Sequence, residues 1–225
     1  MIQWIKLLVF ALYLAPLMTH AVVIVDNTTQ GLYNNGLGDI HTIDGPGGFL
    51  LGPNSSEGDP TIVLGADPAL DFSLFSTFGN DWLGGDYSGG TWSSGPVAIP
   101  TTWTVNTETA IVYDLNLATA SNLHIDLGVD NGIIVWLDGI FVFGATRAGG
   151  ASLNEYDIDL ANIVSGTHSL QILRADHGGS TGYAILVDAT DAPIVSVPEP
   201  GALWLIMIGL IGIWRAWVNG GRNRV

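Results

Sequence analysis

The chain has 225 residues, 48% of them apolar, 9% aromatic and 12% charged, with 30 glycines and no cysteine. So apolar a composition does not describe a disordered chain, and without cysteine neither a disulfide scaffold nor a thiolate metal site can form. Six Lys and Arg against 21 Asp and Glu leave a net charge of −15, which excludes nucleic acid as a partner, because affinity for a phosphate backbone comes from cations that displace its counterions.

The first 21 residues read as a secretory signal peptide. A lone Lys6 precedes the apolar run Leu7–Leu14, and Thr19-His20-Ala21 places small residues where a signal peptidase cuts. The mature chain is then expected to start near Val22.

Residues 22–196 are expected to form one all-β ectodomain. They hold 20 acids but only two cations, Arg147 and Arg174, which are expected to pair with carboxylates. Glycine-rich turn clusters recur between short apolar runs, the pattern of a β-sandwich or barrel. Residues 26–60 and 79–100 are rich in Gly, Asn, Asp, Ser and Pro and read as long loops or edge strands. Within the second stretch, Trp82, Asp86, Tyr87 and Trp92 form a candidate glycan platform: aromatic faces stack on the C–H faces of sugars, and carboxylates accept from hydroxyls. The same aromatics could instead pin the loop to the core.

Alternation of apolar and polar residues marks the strands that follow. Ile111, Tyr113, Leu115 and Leu117 share one face of a half-buried strand. Leu123, Ile125, Leu127 and Val129 do the same on the next, leaving Asn122, His124, Asp126 and Gly128 to water. Ile133 to Phe143 reads as two strands, apolar on both faces, joined by Asp138-Gly139, a dipeptide suited to the positive φ angles of a type I′ turn. Tyr156, Ile158 and Leu160 alternate with Asp157 and Asp159, and Tyr183, Ile185 and Val187 form a last strand.

Asp130 and Asn131, with Asp176 beside His177 on another loop, form a constellation in which the two Asp carboxylates and the Asn carbonyl are candidate oxygen ligands for calcium, an ion that takes six to eight of them. Asx turns, in which these side chains cap their own backbone, are the competing reading. Gly178-Gly179-Ser180-Thr181-Gly182 matches G-x-S-x-G, but a strand follows it where a nucleophile elbow needs a helix, so it reads as a turn. His41, His124, His168 and His177 show no zinc-ligand spacing.

The C-terminal segment, 197–225, begins with Pro198-Glu199-Pro200. It continues through an apolar stretch expected to form a transmembrane helix at about 202–218 and ends with Arg215, Arg222 and Arg224. The arginines place the tail in the cytoplasm and the acidic domain outside. This arrangement resembles the PEP-CTERM sorting signal of exported bacterial proteins. The resemblance implies an exosortase-type membrane enzyme as partner, with Pro198, Glu199 and Pro200 as its recognition element and Arg215 opening the stop-transfer cluster. It also implies delivery to the cell envelope or an exopolysaccharide matrix. Residues 110–190, with Asp-Asn-Gly before an apolar strand and an Asp-Gly hairpin, resemble the jelly rolls of the galactose-binding-like class and the protective-antigen-type lectin domain. That resemblance implies a calcium ion at Asp130 and Asn131, the second adding an oxygen but no charge.

The sequence therefore supports an exported, membrane-anchored or matrix-released, jelly-roll-like β-sandwich that binds glycan without catalysis, with calcium as its candidate ion. A secreted polysaccharide hydrolase, using two carboxylates about 5–9.5 Å apart, is the alternative. A purely structural surface protein is a third reading.

Overall fold

A computed structural model describes residues 20–45, 48–50, 52–53, 62–147, 151–192 and 210–211. The expected signal peptide lies outside these residues apart from His20 and Ala21. The expected membrane helix does too, apart from Leu210 and Ile211, which are helical. No helix of the described residues is long and apolar enough to cross a membrane.

Ten strands follow one another: β1 (Val22–Asp26), β2 (Gln30–Gly38), β3 (Ile62–Val63), β4 (Val97–Ala98), β5 (Glu108–Leu117), β6 (Ser121–Leu137), β7 (Ile140–Arg147), β8 (Tyr156–Ile163), β9 (Gly166–Ala175) and β10 (Gly182–Asp191). The domain is all-β, as its alternating sequence implies, and every pairing is antiparallel. One smaller layer runs β1-β10-β6-β8, and one larger layer runs β3-β7-β6-β9-β5-β2-β4. The seventeen-residue β6 belongs to both. Its first part, Ser121 to Asp130, pairs with β10 and β8; its second, Asn131 to Leu137, pairs with β7 and β9. A strand that changes sheets in this way is how a curled sheet closes on itself without a separate corner loop.

The alternating residues named in the sequence fill the space between the layers. Leu123, Ile125, Leu127 and Val129 from β6 meet Ile111, Tyr113, Leu115 and Leu117 from β5, with Tyr183, Ile185 and Val187 from β10 and Tyr156 and Ile158 from β8. Asp138 and Gly139 take positive φ angles of 52° and 75°, the type I′ geometry expected of the hairpin, with Leu137 opposite Ile140.

The β6 half of that hairpin is apolar at successive positions because both its faces are covered. Ile133 and Val135 point into the inter-sheet core, whereas Ile134 and Trp136 point into a second core under the segment that includes Ile40, Ile43, Leu70, Phe78 and Trp82. The β7 half is covered less completely, and Ile140 is 71% exposed. The stretch 26–60 is also less loop-like than its composition implies: β2 is a nine-residue strand between β5 and β4.

Candidate functional site

The residues expected to offer oxygens to calcium do come together, but inside the protein. Asp130 and Asn131 are not on a loop; they lie within β6, at the point where it passes between layers, and are 3% and 0% exposed. Asp130 accepts hydrogen bonds from the Asn131 amide at 2.7 Å and from the Ser180 hydroxyl at 2.9 Å. Asn131 Oδ1 accepts from the His177 backbone N–H at 3.3 Å. Asp176 accepts from the backbone N–H groups of Asn106 and Gly178, the latter an Asx turn over the glycine-rich segment. Asp130, Asn131 and Asp176 each thus already accept at least one hydrogen bond from the protein's own N–H and O–H groups, and Ser180 serves as one of those donors.

Arg174 overturns the expectation of a carboxylate partner. It is fully buried, and its guanidinium donates to Thr109 Oγ1 at 3.0 Å, the Pro100 carbonyl at 2.9 Å and the Tyr33 hydroxyl at 3.3 Å. Its Cζ lies 4.3 Å from the ring centre of Trp103 and 4.6 Å from that of Tyr183. Burial lowers its pKa, and the surrounding tyrosines oppose that shift. The cation is held by π faces and neutral acceptors. Arg147 lies on β7, and its side chain is outside the described set.

The candidate glycan platform divides in two. Trp82 is 1% exposed and packs against Phe78, Trp92 and Trp136, with ring centres 5.6–5.7 Å away. No face is left for a ligand, so Trp82 anchors the loop. Trp92 is half-buried, donates its indole N–H to the Phe78 carbonyl at 2.7 Å, and meets the half-buried Tyr87 ring edge-on at 5.0 Å. Asp86 stands exposed beside them, its carboxylate accepting from Ser88 and Asn80. Of the four candidate platform residues, Tyr87, Trp92 and Asp86 are therefore the ones that reach the surface.

One polar constellation went unrecognised in the sequence. On the outer face of the smaller layer, strand register sets His124 opposite Asp159 and Asp126 opposite Asp157, with Asp188 of β10 opposite His124 on the other side. His124 Nδ1 lies 2.7 Å from Asp159 Oδ1, and His124 Nε2 lies 3.2 Å from Asp126 Oδ1. The ligand atoms of His124, Asp126 and Asp157 all fall within 4.8 Å of one another. Hydrogen bonding to Asp159 raises the His124 pKa, and burial, followed by the Asp157 side chain, raises that of Asp126. A groove of about 410 Å³ adjoins this face, lined in part by Asn122, His124, Asp159, Asp188 and Thr190. The available signal was H-x-D on one strand and D-x-D on another. Each pair projects to one face, but nothing in the sequence says that the two faces coincide.

Pro198, Glu199, Pro200 and Arg215 lie outside the described residues. By sequence, residues 196–218 match the PEP-CTERM protein-sorting motif, which implies an exported, membrane-associated protein. No curated protein matches the chain. Among solved structures, it is similar to an anti-sigma factor domain-containing protein at 8% identity and TM-score 0.33, over 38% of this chain and 28% of that one. It is similar to a PA14 sugar-binding domain from an RTX adhesin at 18% identity and TM-score 0.31, over 51% of this chain and 62% of that one. It is likewise similar to the PA14 domain of the MpAFP antifreeze protein at 18% identity and TM-score 0.31, over 81% of this chain and 89% of that one. The chain thus spans less than two thirds of the first two.

Proposed function

We propose that the protein is a non-catalytic glycan-binding module of the cell envelope or extracellular matrix, delivered through its C-terminal sorting motif and processed there by an exosortase-type enzyme. The observation that carries this reading is the match of residues 196–218 to a protein-sorting motif, downstream of a β-domain with almost no cations. Such a domain is soluble and repels like-charged polymer, so its adhesion must come from local contacts and not from its overall field.

The ligand surface is the rim formed by Tyr87, Trp92 and Asp86. The two rings stand nearly edge to face on a braced loop, which fixes an aromatic surface for a sugar ring before the sugar arrives. Hydrogen bonds from Ser88 hold the adjacent carboxylate in place, where it can accept from sugar hydroxyls. Preorganisation of this kind reduces the ordering cost of binding. The contact is shallow, so useful adhesion requires many copies on one surface.

The test is binding of the full-length chain in mild detergent to an array of bacterial and plant polysaccharides, with Tyr87→Ala as control. Loss of a sugar-stacking ring costs about 1 kcal/mol, so the variant should bind several-fold more weakly while it still unfolds cooperatively. No retention on any polysaccharide, or retention untouched by Tyr87→Ala, overturns the ligand surface. Release of soluble sugar during the incubation overturns the non-catalytic reading in favour of a hydrolase.

A further inference from the structure

We propose that His124, Asp126 and Asp157 form a binding site for a divalent transition-metal cation on the outer face of the smaller layer, held by one imidazole nitrogen and two carboxylates. Three independent features of the geometry converge on this.

Asp126 is only 7% exposed, yet its Oδ1 has no hydrogen-bond partner. A buried carboxylate oxygen left without a donor is costly. Here it points at His124 Nε2, 3.2 Å away but outside hydrogen-bond geometry. Two donor atoms bound to one cation at about 2.1 Å, with angles between octahedral and tetrahedral, stand about 3.0–3.4 Å apart. The observed separation falls in that interval.

His124 is also oriented as a ligand. Its Nδ1 contacts Asp159 Oδ1 at 2.7 Å. A carboxylate on one ring nitrogen fixes the proton there and presents the other nitrogen's lone pair, the arrangement that backs metal-bound histidines.

Finally, register places Asp126 directly across from Asp157. Like charges in direct opposition destabilise a sheet unless something positive lies between them. The described basic groups supply only His124 on this face, against Asp126, Asp157, Asp159 and Asp188. One nitrogen with carboxylate oxygens suits zinc or manganese better than calcium or magnesium, which take oxygen alone.

The experiment is calorimetric titration of the full-length, tag-free, chelator-stripped chain in mild detergent with zinc, manganese and calcium chlorides in turn. One zinc or manganese ion per chain is expected, with calcium weaker. Binding should disappear in His124→Gln and in Asp126→Asn, and Asp159→Asn should weaken it by about 10–100-fold. His124 lies on the open face, so His124→Gln carries the test if Asp126→Asn does not fold. Absence of zinc and manganese binding, a preference for calcium, or stoichiometric binding that survives His124→Gln overturns the proposal. None of these outcomes bears on the Tyr87 surface.

Discussion

Glu108 offers the sharpest test of the electrostatics within this fold. It opens β5, is 1% exposed, and its Oε2 accepts from the Ile40 backbone N–H at 2.7 Å. Burial raises its pKa from 4.5 to about 8, helped by the negative charges of Asp39 and Asp176 and opposed by the Ile40 hydrogen bond. The folded state therefore prefers the protonated acid. Its contribution is fully present below pH 4.5, where both states are protonated, and is lost as pH rises through the folded value near 8. At about 1.4 kcal/mol per pH unit, the loss is about 3 kcal/mol by pH 7 and about 5 kcal/mol above pH 8. That is a large share of the 5–15 kcal/mol that holds a typical domain together. Glu108→Gln keeps an oxygen for Ile40 N–H but cannot ionise. Urea unfolding of both full-length chains, followed by near-ultraviolet circular dichroism from pH 4.5 to 9, should give curves that meet at the acid end. Toward alkaline pH they should diverge in favour of the variant. Other titrating groups are common to both chains, so the difference isolates residue 108. Stability curves that stay parallel, with or without a constant offset, would refute the reasoning.

Further predictions follow from the same geometry. Arg174→Lys replaces a planar cation held between Trp103 and Tyr183, and bonded to Thr109, Pro100 and Tyr33, with a point charge that cannot stack or span those acceptors; a loss of about 2–4 kcal/mol in urea unfolding is expected. At Gly128, an added Cβ would clash with the backbone oxygen and nitrogen of Ser152; Gly128→Ala must push that segment away and should cost about 1–3 kcal/mol, read as a lower melting temperature. Trp82→Ala should cost about 3–5 kcal/mol by opening the aromatic core, whereas Tyr87→Ala, which removes a half-buried ring packed edge-on against Trp92, should cost less in the melt, about 1 kcal/mol, and weaken glycan retention. Calcium with and without chelator should not move the melting temperature through Asp130, Asn131 and Asp176, each of which already accepts at least one protein hydrogen bond; a calcium shift abolished by Asp130→Asn would restore that site.

By itself, the sequence determined features governed by neighbours along the chain. Alternation along Leu123–Val129, Ile111–Leu117 and Tyr183–Val187 marked the faces that enter the inter-sheet core, because a strand's side chains must alternate between its two faces; it did not show that Val112 and Asp126, on the opposite faces, are buried as well. Asp138-Gly139 determined the hairpin turn for an equally local reason, since it supplies two positive φ angles. The Pro-Glu-Pro tail was legible as a sorting motif because its information is linear. What only the tertiary structure decided depended on partners distant in the chain. β6 runs unbroken from one layer into the other, which turned an apparent Asp-Asn-Gly loop into a buried crossing point. Packing between Phe78, Trp92 and Trp136 drew Trp82 inward. Arg174, with acids in excess along the chain, found aromatic faces instead, because β9 sets it beside Tyr33, Trp103 and Tyr183. His124 and Asp126 met Asp157 and Asp159 through a β6–β8 register that no local pattern encodes. A one-residue slip of β8 in that pairing would have turned Asp157 and Asp159 to the opposite face, away from His124 and Asp126.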